Sequence, residues 1–370
     1  MSTTATRALD PAAVQRLSNR IQEEIDSSRL LAAQFAIGID GRVEAFASFG
    51  TATNDHRFVI FSATKPIVSA AIVALIADGR IDIAKPVAQY LAEFAANGKN
   101  HITVEHVMLM QGGFSQALIG PLEWGTSAGR RTAFGTWTPD WPSGTRCEYH
   151  PVSAHWVLAE LIETISGQPY AVAIHEAVTG RAGVAQVLGP EMANHNSVVE
   201  VRMHGARPSD EVLLAEYGSP HLVPAVSVGV EALLSLNSKL AHAAGIPGGG
   251  GIARASDIAA LYQSWLRDPA MTDAIGNIRN NLLNETSKYA AHRTLMFEVA
   301  GNDNDEALRW FPAQRPRVFG HHGAGGQLCW ADPDSGLSFS FLHDTLDQNP
   351  AQEIKRSREI NELAAACVRP

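Results

Sequence analysis

Residues 59–79 have the sequence VIFSATKPIVSAAIVALIADG, in which a short apolar run leads through a serine and a lysine into a longer apolar segment. Apolar side chains recur at helical spacing up to Gly79 and predict a helix, and the apolar run before Ser62 predicts a short strand. Ser62 and Lys65 stand three residues apart at the start of this helix. Their side chains therefore share one face, and the amine can reach the hydroxyl.

This spacing makes Ser62 a candidate nucleophile and Lys65 its activating partner. A serine hydroxyl is a weak nucleophile until an adjacent base or a positive field activates it. The N–H groups at the start of a helix also stabilise negative charge that develops there. A helix cap followed by a surface lysine fits the same four residues, so further motifs have to decide between the two.

Alternating apolar and polar residues occur near both ends of the chain. Residues 33–49 alternate around Asp40-Gly41, a dipeptide typical of a tight β-hairpin turn. Residues 326–343 alternate around a turn at 332–336, which predicts a second hairpin. The two hairpins predict one antiparallel sheet assembled from the two ends of the chain.

Helical patterns fill the rest of the sequence. Asp10-Pro11 and Asn349-Pro350 each predict the start of a helix near a chain end, and residues 153–166 form the clearest helical pattern of the middle region. We therefore predict an α/β domain from residues 1–80 and 247–370, and a mainly helical domain from residues 81–246. A site between the two domains is the natural expectation.

Composition limits the classes of partner. Of 370 residues, 45% are hydrophobic and 18% charged, which favours a folded chain with a sizeable core. The formal net charge of −9 and the absence of a basic block disfavour nucleic acid and anionic membranes as partners. We expect a small-molecule substrate, and the sequence leaves the oligomeric state open.

The cysteines and the apolar segments bear on the compartment. Cys147, Cys329 and Cys367 are far apart and odd in number, which disfavours a disulfide framework or a zinc site. Residues 1–7 lack the apolar run of a secretory signal, and the apolar stretch 66–77 is shorter than the roughly 20 residues that span a bilayer. We expect a cytoplasmic protein.

Two further motifs follow the S-x-x-K segment in order along the chain. Tyr149 begins Tyr149-His150-Pro151, and His321 begins His321-His322-Gly323. Together with residues 59–79, these motifs resemble serine β-lactamases of class C and their esterase relatives. That family carries S-x-x-K, then a tyrosine motif written Y-x-N or Y-S-x, then K-T-G or, in the esterases, H-x-G or W-x-G. The glycine run 248–251 is similar to another stretch of the family.

The resemblance covers nearly the whole chain, which is identified as a member of the serine β-lactamase-like superfamily and is most similar to family VIII carboxylesterases. It implies an α+β fold like that of β-lactamases and penicillin-binding proteins, in which helices flank an antiparallel sheet and a mainly helical second domain is present. It departs from the β-lactamase pattern at Pro151, where those enzymes carry asparagine, and at His321, where they carry lysine.

The resemblance also implies roles for individual residues. Ser62 is the nucleophile of a two-step acyl transfer, and Lys65 and Tyr149 handle its proton as one pair. Tyr149 becomes a candidate base only if Lys65 holds the pKa of its phenol far below the ordinary value of about 10. Backbone amides of Ser62 and Ala324 form the oxyanion hole. The expected substrate-binding residues are His321, Gly323 and Trp124, and no metal or organic cofactor is expected.

The two departures bear on the substrate class. Histidine carries less positive charge than lysine at neutral pH, and proline offers neither a side-chain amide nor an N–H group. Both changes remove groups that would hold a β-lactam. We therefore predict hydrolysis of short-chain carboxylic esters with weak or no β-lactam hydrolysis. An acyltransferase or amidase on the same scaffold, or a non-catalytic penicillin-recognising protein, remains an alternative.

Two local patterns need separate treatment. Residues 125–129 match G-x-S-x-G, the nucleophile motif of α/β-hydrolases, but we expect neither the strand before Ser127 nor the helix after it that this motif requires. His321 and His322 are adjacent, so on a strand they are expected to point to opposite faces and not to bind one metal ion.

Overall fold

A computed structural model of the chain describes residues 8–189, 196–217, 228–303 and 309–368. The segment 1–7, on which the expectation about a secretory signal rests, lies outside the described residues. The α-helices of the described part are α1 (Pro11–Asp26), α2 (Lys65–Ala77), α3 (Val104–Met108), α4 (Ser127–Thr136), α5 (Ser153–Ser166), α6 (Tyr170–Ile174), α7 (Asp210–Tyr217), α8 (Val230–Leu234), α9 (Lys239–Ala244), α10 (Ala255–Arg267), α11 (Thr272–Gly276) and α12 (Pro350–Ala365). The strands there are β1 (Ala32–Ile39), β2 (Arg42–Gly50), β3 (Phe58–Val59), β4 (Arg202–His204), β5 (Ile252–Ala253), β6 (Glu298–Val299), β7 (Phe319–Gly320), β8 (Leu328–Asp332), β9 (Leu337–His343) and β10 (Thr345–Asp347).

A six-stranded antiparallel sheet joins the two ends of the chain. Its strand order is β2-β1-β9-β8-β7-β6, so β1 pairs with its hairpin partner β2 on one side and with β9 on the other. Asp40 and Gly41 both have positive φ angles, 51° and 84°, as a two-residue hairpin turn of this hand requires. The predicted sheet built from both termini is therefore confirmed.

Helices cover both faces of this sheet. On one face, α1 and α12 contact each other, and apolar side chains such as Leu17, Phe35 and Ile360 form a buried cluster with the strands. On the other face, α10 packs against β1 and β9, where the larger hydrophobic cluster begins. Because both faces are buried, every residue of β1 is buried.

Helix α2 runs through the larger cluster and packs against α5. Ten of its thirteen residues are buried, including Lys65 at its first position. A helix that is apolar on all sides is typical of a protein interior. The α-helix begins three residues later than the sequence predicts, because residues 61–64 form a 3-10 turn that carries Ser62. Side chains at i and i+3 are eclipsed in such a turn, so Ser62 and Lys65 still lie on one side.

Several short strands were not predicted. β6 and β7 extend the sheet at one edge, and β4, within residues 81–246, pairs in parallel with β10. Helices α3 to α9 lie within 81–246, and the main sheet uses residues 32–50 and 298–343. The division into two domains stays a prediction. In the described part of the chain, no helix has the length and apolar character needed to cross a membrane.

Candidate active site

The turn that carries Ser62 is held in an unusual backbone conformation. Phe61 has a φ of +45°, a region that costs a non-glycine residue of order 1–3 kcal/mol and persists only where the surroundings enforce it. The Thr64 hydroxyl donates to the carbonyl oxygen of Phe61 at 2.6 Å and accepts from the N–H of Gly251 at 2.9 Å. These bonds tie the turn to the glycine run and leave the Ser62 side chain half-buried at its edge.

Lys65 is only 1% exposed, and its amine nitrogen has three hydrogen-bond partners. The distances from Nζ are 3.0 Å to Ser62 Oγ, 2.7 Å to the carbonyl oxygen of Pro151 and 2.6 Å to the carbonyl oxygen of Gly248. Gly248 allows the two carbonyl groups to converge, because a Cβ there would lie 2.9 Å from the Pro151 oxygen.

The surroundings favour an uncharged Lys65. Burial lowers the pKa of its amine well below the usual value of 10.5, and the nearby positive charge of Arg293 lowers that pKa further. A neutral amine has two N–H groups and one lone pair. The N–H groups match the carbonyl oxygens of Pro151 and Gly248, which leaves the lone pair for the proton of Ser62.

Tyr149 completes the group around the serine. Its half-buried phenol donates a hydrogen bond to Ser62 Oγ at 2.9 Å, and Lys65 Nζ lies 4.9 Å from the centre of its ring. Burial raises the pKa of Tyr149, and the hydrogen bond to Ser62 offsets this only in part. The condition under which Tyr149 would be a candidate base, a pKa held far below 10 by Lys65, is therefore not met. Burial also disfavours the positive charge of Lys65 itself, which weakens any such field.

The third motif lies next to the serine turn. A Cβ at Gly323 would lie 2.3 Å from the carbonyl oxygen of Ile60, so only glycine allows this close approach. Among the described residues, the backbone N–H groups of Ser62 and Ala324 have no hydrogen-bond partner. They are free to donate to an oxyanion, which is the role predicted for them.

The histidines of the third motif do not point to opposite faces. The rings of His321 and His322 are stacked with centroids 5.7 Å apart, because both residues follow the two-residue strand β7 and lie in the loop beyond it. The expectation that the two side chains point to opposite faces is therefore wrong. His321 also approaches the Tyr149 ring at 6.0 Å, and His322 approaches Trp310 at 5.2 Å, so four rings form a row that starts beside Ser62.

The row carries no charge at neutral pH. Burial lowers the pKa of His321 well below 6.5 and that of His322 to about 3. His321 Nδ1 lies 2.8 Å from the carbonyl oxygen of His322, and its Nε2 has no partner among the described residues. The substrate-binding roles of His321 and Gly323 stay predictions, and the structure brings both residues to the site.

Trp124 and Ser127 have partners of a different kind. The indole N–H of Trp124 donates to the carbonyl oxygen of Ile119 at 2.9 Å, so its polar atom is used within its own loop, and its substrate role stays a prediction. Ser127 begins α4, so the expectation that no helix follows it is wrong, although no strand precedes it. Its hydroxyl donates to the carboxylate of Glu160, which also pairs with Arg130.

Arg293 and Glu298 were not singled out from the sequence. They form a buried ion pair, with 2.6 Å between Arg293 Nη2 and Glu298 Oε1, and the guanidinium carbon lies 5.5 Å from the centre of the Tyr149 ring. The available signal was two opposite charges in the otherwise mostly apolar stretch 289–300, YAAHRTLMFEVA. Within the described ranges, no group of three or more His, Cys, Asp or Glu side chains could hold a metal ion.

Comparisons with known proteins extend these observations. A family model described as Beta-lactamase matches residues 17–363. The chain is 26% identical over 320 residues to Esterase/beta-lactamase LipL of Mycobacterium tuberculosis, covering 79% of this chain and 70% of that protein. Among solved structures it is similar to a family VIII carboxylesterase (TM-score 0.78, 20% identity, 97% and 98% of the two chains) and to a penicillin-binding protein homolog from Caulobacter crescentus (0.77, 22%, 98% and 100%). These likenesses show the fold that the motifs predicted.

Proposed function

The chain belongs to the Beta-lactamase family, as its motifs predicted, and on this premise we propose that it is a carboxylesterase that cleaves short-chain esters through an acyl-enzyme on Ser62. One observation carries the proposal. Ser62 Oγ lies within hydrogen-bond distance of both Lys65 Nζ and Tyr149 OH, and the other two partners of the amine are carbonyl oxygens. This geometry fits a nucleophile with its base in place.

In the acylation step, Ser62 Oγ attacks the ester carbonyl carbon while its proton passes to the lone pair of Lys65. The negative charge that develops on the carbonyl oxygen is stabilised by the N–H groups of Ser62 and Ala324. The tetrahedral intermediate collapses to the acyl-enzyme, and the leaving alkoxide receives a proton from Lys65 through Tyr149. Tyr149 fits the role of a proton donor, because its pKa is raised and its hydroxyl already donates to Ser62 Oγ.

Deacylation repeats the sequence with water in place of the serine. Lys65, neutral again after the first step, accepts a proton from the attacking water molecule. The bond between the acyl carbon and Ser62 Oγ breaks, and Ser62 recovers its proton. Each step needs a lysine that is unprotonated at the working pH, which is the state that its burial favours.

Preference for neutral esters follows from the third motif. A lysine at position 321 would offer a permanent cation to the carboxylate of a β-lactam, whereas His321 is buried and uncharged at neutral pH. The carbonyl oxygen of Pro151 is already bonded to Lys65, and its ring nitrogen has no proton to donate. A neutral ester does not depend on these groups, and its alkoxide leaves more readily than an amine.

The proposal is tested by comparing kcat/KM for p-nitrophenyl acetate and butyrate with kcat/KM for nitrocefin and benzylpenicillin at pH 7. We expect both esters to exceed both β-lactams. Benzylpenicillin turnover equal to or faster than ester turnover would contradict the proposed substrate class. Rate enhancement by an added alcohol would indicate an acyltransferase, and one equivalent of product followed by no turnover would indicate a penicillin-recognising protein.

A further inference from the structure

Arg293 and Glu298 form a buried ion pair next to Tyr149 of the candidate active site. Arg293 is 2% exposed and Glu298 is 5% exposed, and neither belongs to the three sequence motifs. The Arg293 guanidinium and the Lys65 amine both approach the Tyr149 ring, at 5.5 Å and 4.9 Å from its centre. One aromatic ring is therefore in contact with two basic side chains, of which only the guanidinium is always charged.

The backbone fixes the pair relative to the motifs. Arg293 exchanges backbone hydrogen bonds with Asn280 at 2.9 and 3.1 Å. Glu298 lies on β6 directly opposite Gly320 of β7, the residue before His321. A shift of Arg293 would therefore move the guanidinium that contacts Tyr149. A shift of Glu298 would disturb the strand pair that leads into the third motif.

Stability alone is a poor explanation for this pair. Buried ion pairs often contribute little to the free energy of unfolding, because the cost of removing two charges from water offsets their attraction. Here the hydrogen bonding is also incomplete, since Arg293 Nε and Glu298 Oε2 are buried and lack partners among the described residues. Two apolar side chains would fill the same space without that cost, which points to a role in the neighbouring site.

We propose that Arg293, held in place by Glu298, is a positioning residue of the active site that orients the Tyr149 ring toward Ser62 and places a permanent positive charge close to the Lys65 amine. The positive charge of Arg293 lowers the pKa of Lys65, in addition to the larger effect of burial, and the negative charge of Glu298 raises it. The inference rests on the proposed function in one respect, that Lys65 serves as the base.

Other titratable groups around Lys65 and Tyr149 carry no competing charge near neutral pH. Four histidines face the site: His150 follows Tyr149, His155 lies in α5, and His321 and His322 lie in the loop after β7. Burial lowers the pKa of each one, to about 4 for His150 and about 3 for His322. Burial also raises the pKa of the nearby Cys147 thiol. Arg293 and Glu298 are thus the charges that the described part of the chain presents to Lys65.

The test measures the protonation of Lys65 directly by NMR in the full-length protein labelled with 13C-lysine. The chain has six lysines, so Lys65→Arg assigns the Lys65 signal and Lys99→Arg assigns that of the other buried lysine. We expect Arg293→Met to raise the titration midpoint of Lys65 by about one pH unit, and Glu298→Gln to lower it. A purely structural pair would not move this midpoint in opposite directions when its two halves are replaced.

Arg279→Met is the matched control. Arg279 lies across the backbone from Arg293, but its side chain pairs with Glu105 at 2.8 Å and is partly exposed. We expect it to leave the midpoint of Lys65 unchanged. If Arg293→Met does not fold, Glu298→Gln carries the test, because the amide keeps the shape of the carboxylate.

An unchanged or raised midpoint in folded Glu298→Gln would overturn the inference. So would equal shifts of one sign in both variants. This readout does not need ester turnover. Opposite shifts of the Lys65 midpoint in a protein that hydrolyses no ester would support the role of the ion pair and contradict the proposed substrate. Ester hydrolysis without any shift of the midpoint would support the proposed substrate and contradict the role of the ion pair.

Discussion

Two serines in this molecule stand at the start of helical segments within known nucleophile motifs, yet their surroundings differ. Ser62 Oγ contacts the Lys65 amine and the Tyr149 phenol, two groups whose surroundings favour the neutral form. Ser127 donates to the carboxylate of Glu160. Each serine lies in a nucleophile motif of four or five residues, so the motif alone does not separate them. The comparison teaches that the proton acceptor distinguishes a candidate nucleophile from a structural serine.

The acceptors differ in basicity. The lone pair of a neutral lysine amine is a stronger base than a carboxylate, and at Ser62 the other partners of the amine are carbonyl oxygens that accept its N–H groups. At Ser127 the carboxylate of Glu160 is also bonded to Arg130 and Arg131 at 2.8 and 2.7 Å. Glu160 therefore holds two arginines and a hydroxyl together.

Removal of the Ser62 hydroxyl has the largest expected effect. We expect Ser62→Ala to lower kcat for p-nitrophenyl butyrate by about 10⁴-fold or more, because no other group in the site would form the acyl bond. The melting temperature should change little, since the turn is held by Thr64 and Gly251 and not by Ser62. Full activity in a folded Ser62→Ala protein would reverse the assignment of the two serines.

Replacement of the two partners of Ser62 comes next. Lys65→Ala and Tyr149→Phe are each expected to lower kcat by about 10²- to 10⁴-fold, because each removes a group that moves the serine proton. The double variant should be little worse than the poorer single one, since groups that act as a unit are not additive. Losses that simply multiply would show that lysine and tyrosine act independently.

The pH dependence of kcat/KM tests the protonation state of Lys65. Because the base must be unprotonated, activity is lost as pH falls through the pKa of Lys65 and reaches its plateau well below pH 10.5. Lys99 is the internal control, because burial lowers the pKa of its amine to about 8 at a place where the partners are carbonyl oxygens of Ala96 and Trp137. Lys99→Met should leave the acid limb in place. If the acid limb disappears in this variant, the titrating group is Lys99 and not Lys65, which would contradict the prediction.

The smallest effect is expected at Ser127. Ser127→Ala should leave kcat/KM within about twofold and should cost about 1–2 kcal/mol of the free energy of unfolding, because a hydrogen bond to a buried carboxylate is lost. Chemical denaturation and ester kinetics on the same sample measure both quantities. A loss of activity without a loss of stability would mean that Ser127 takes part in catalysis, which would contradict this prediction.

Local patterns predicted the parts of the molecule that local physics decides. The hairpin at Asp40-Gly41 and the helix Ser153–Ser166 occur where turn residues and apolar spacing predict them. The proximity of Ser62 and Lys65 is equally local, because three residues of a helical turn separate them.

The rest of the site depends on atoms that carry no sequence signal. The carbonyl groups of Pro151 and Gly248 that hold Lys65 belong to the backbone, and only the assembled fold brings them together. The stacking of His321 on His322 follows from a loop after a strand of two residues, which alternation could not indicate. The pKa of Tyr149 is set by burial, which depends on the whole fold.

The central claim is that Ser62, and not Ser127, is the nucleophile. The most direct measurement is the site of covalent labelling by an aryl fluorophosphonate, in which a serine oxygen displaces fluoride from phosphorus. Peptide mass spectrometry should find one equivalent of adduct on Ser62, none on Ser127, and parallel loss of ester hydrolysis. Adduct on Ser127, or complete inactivation with an unmodified Ser62, would contradict the account.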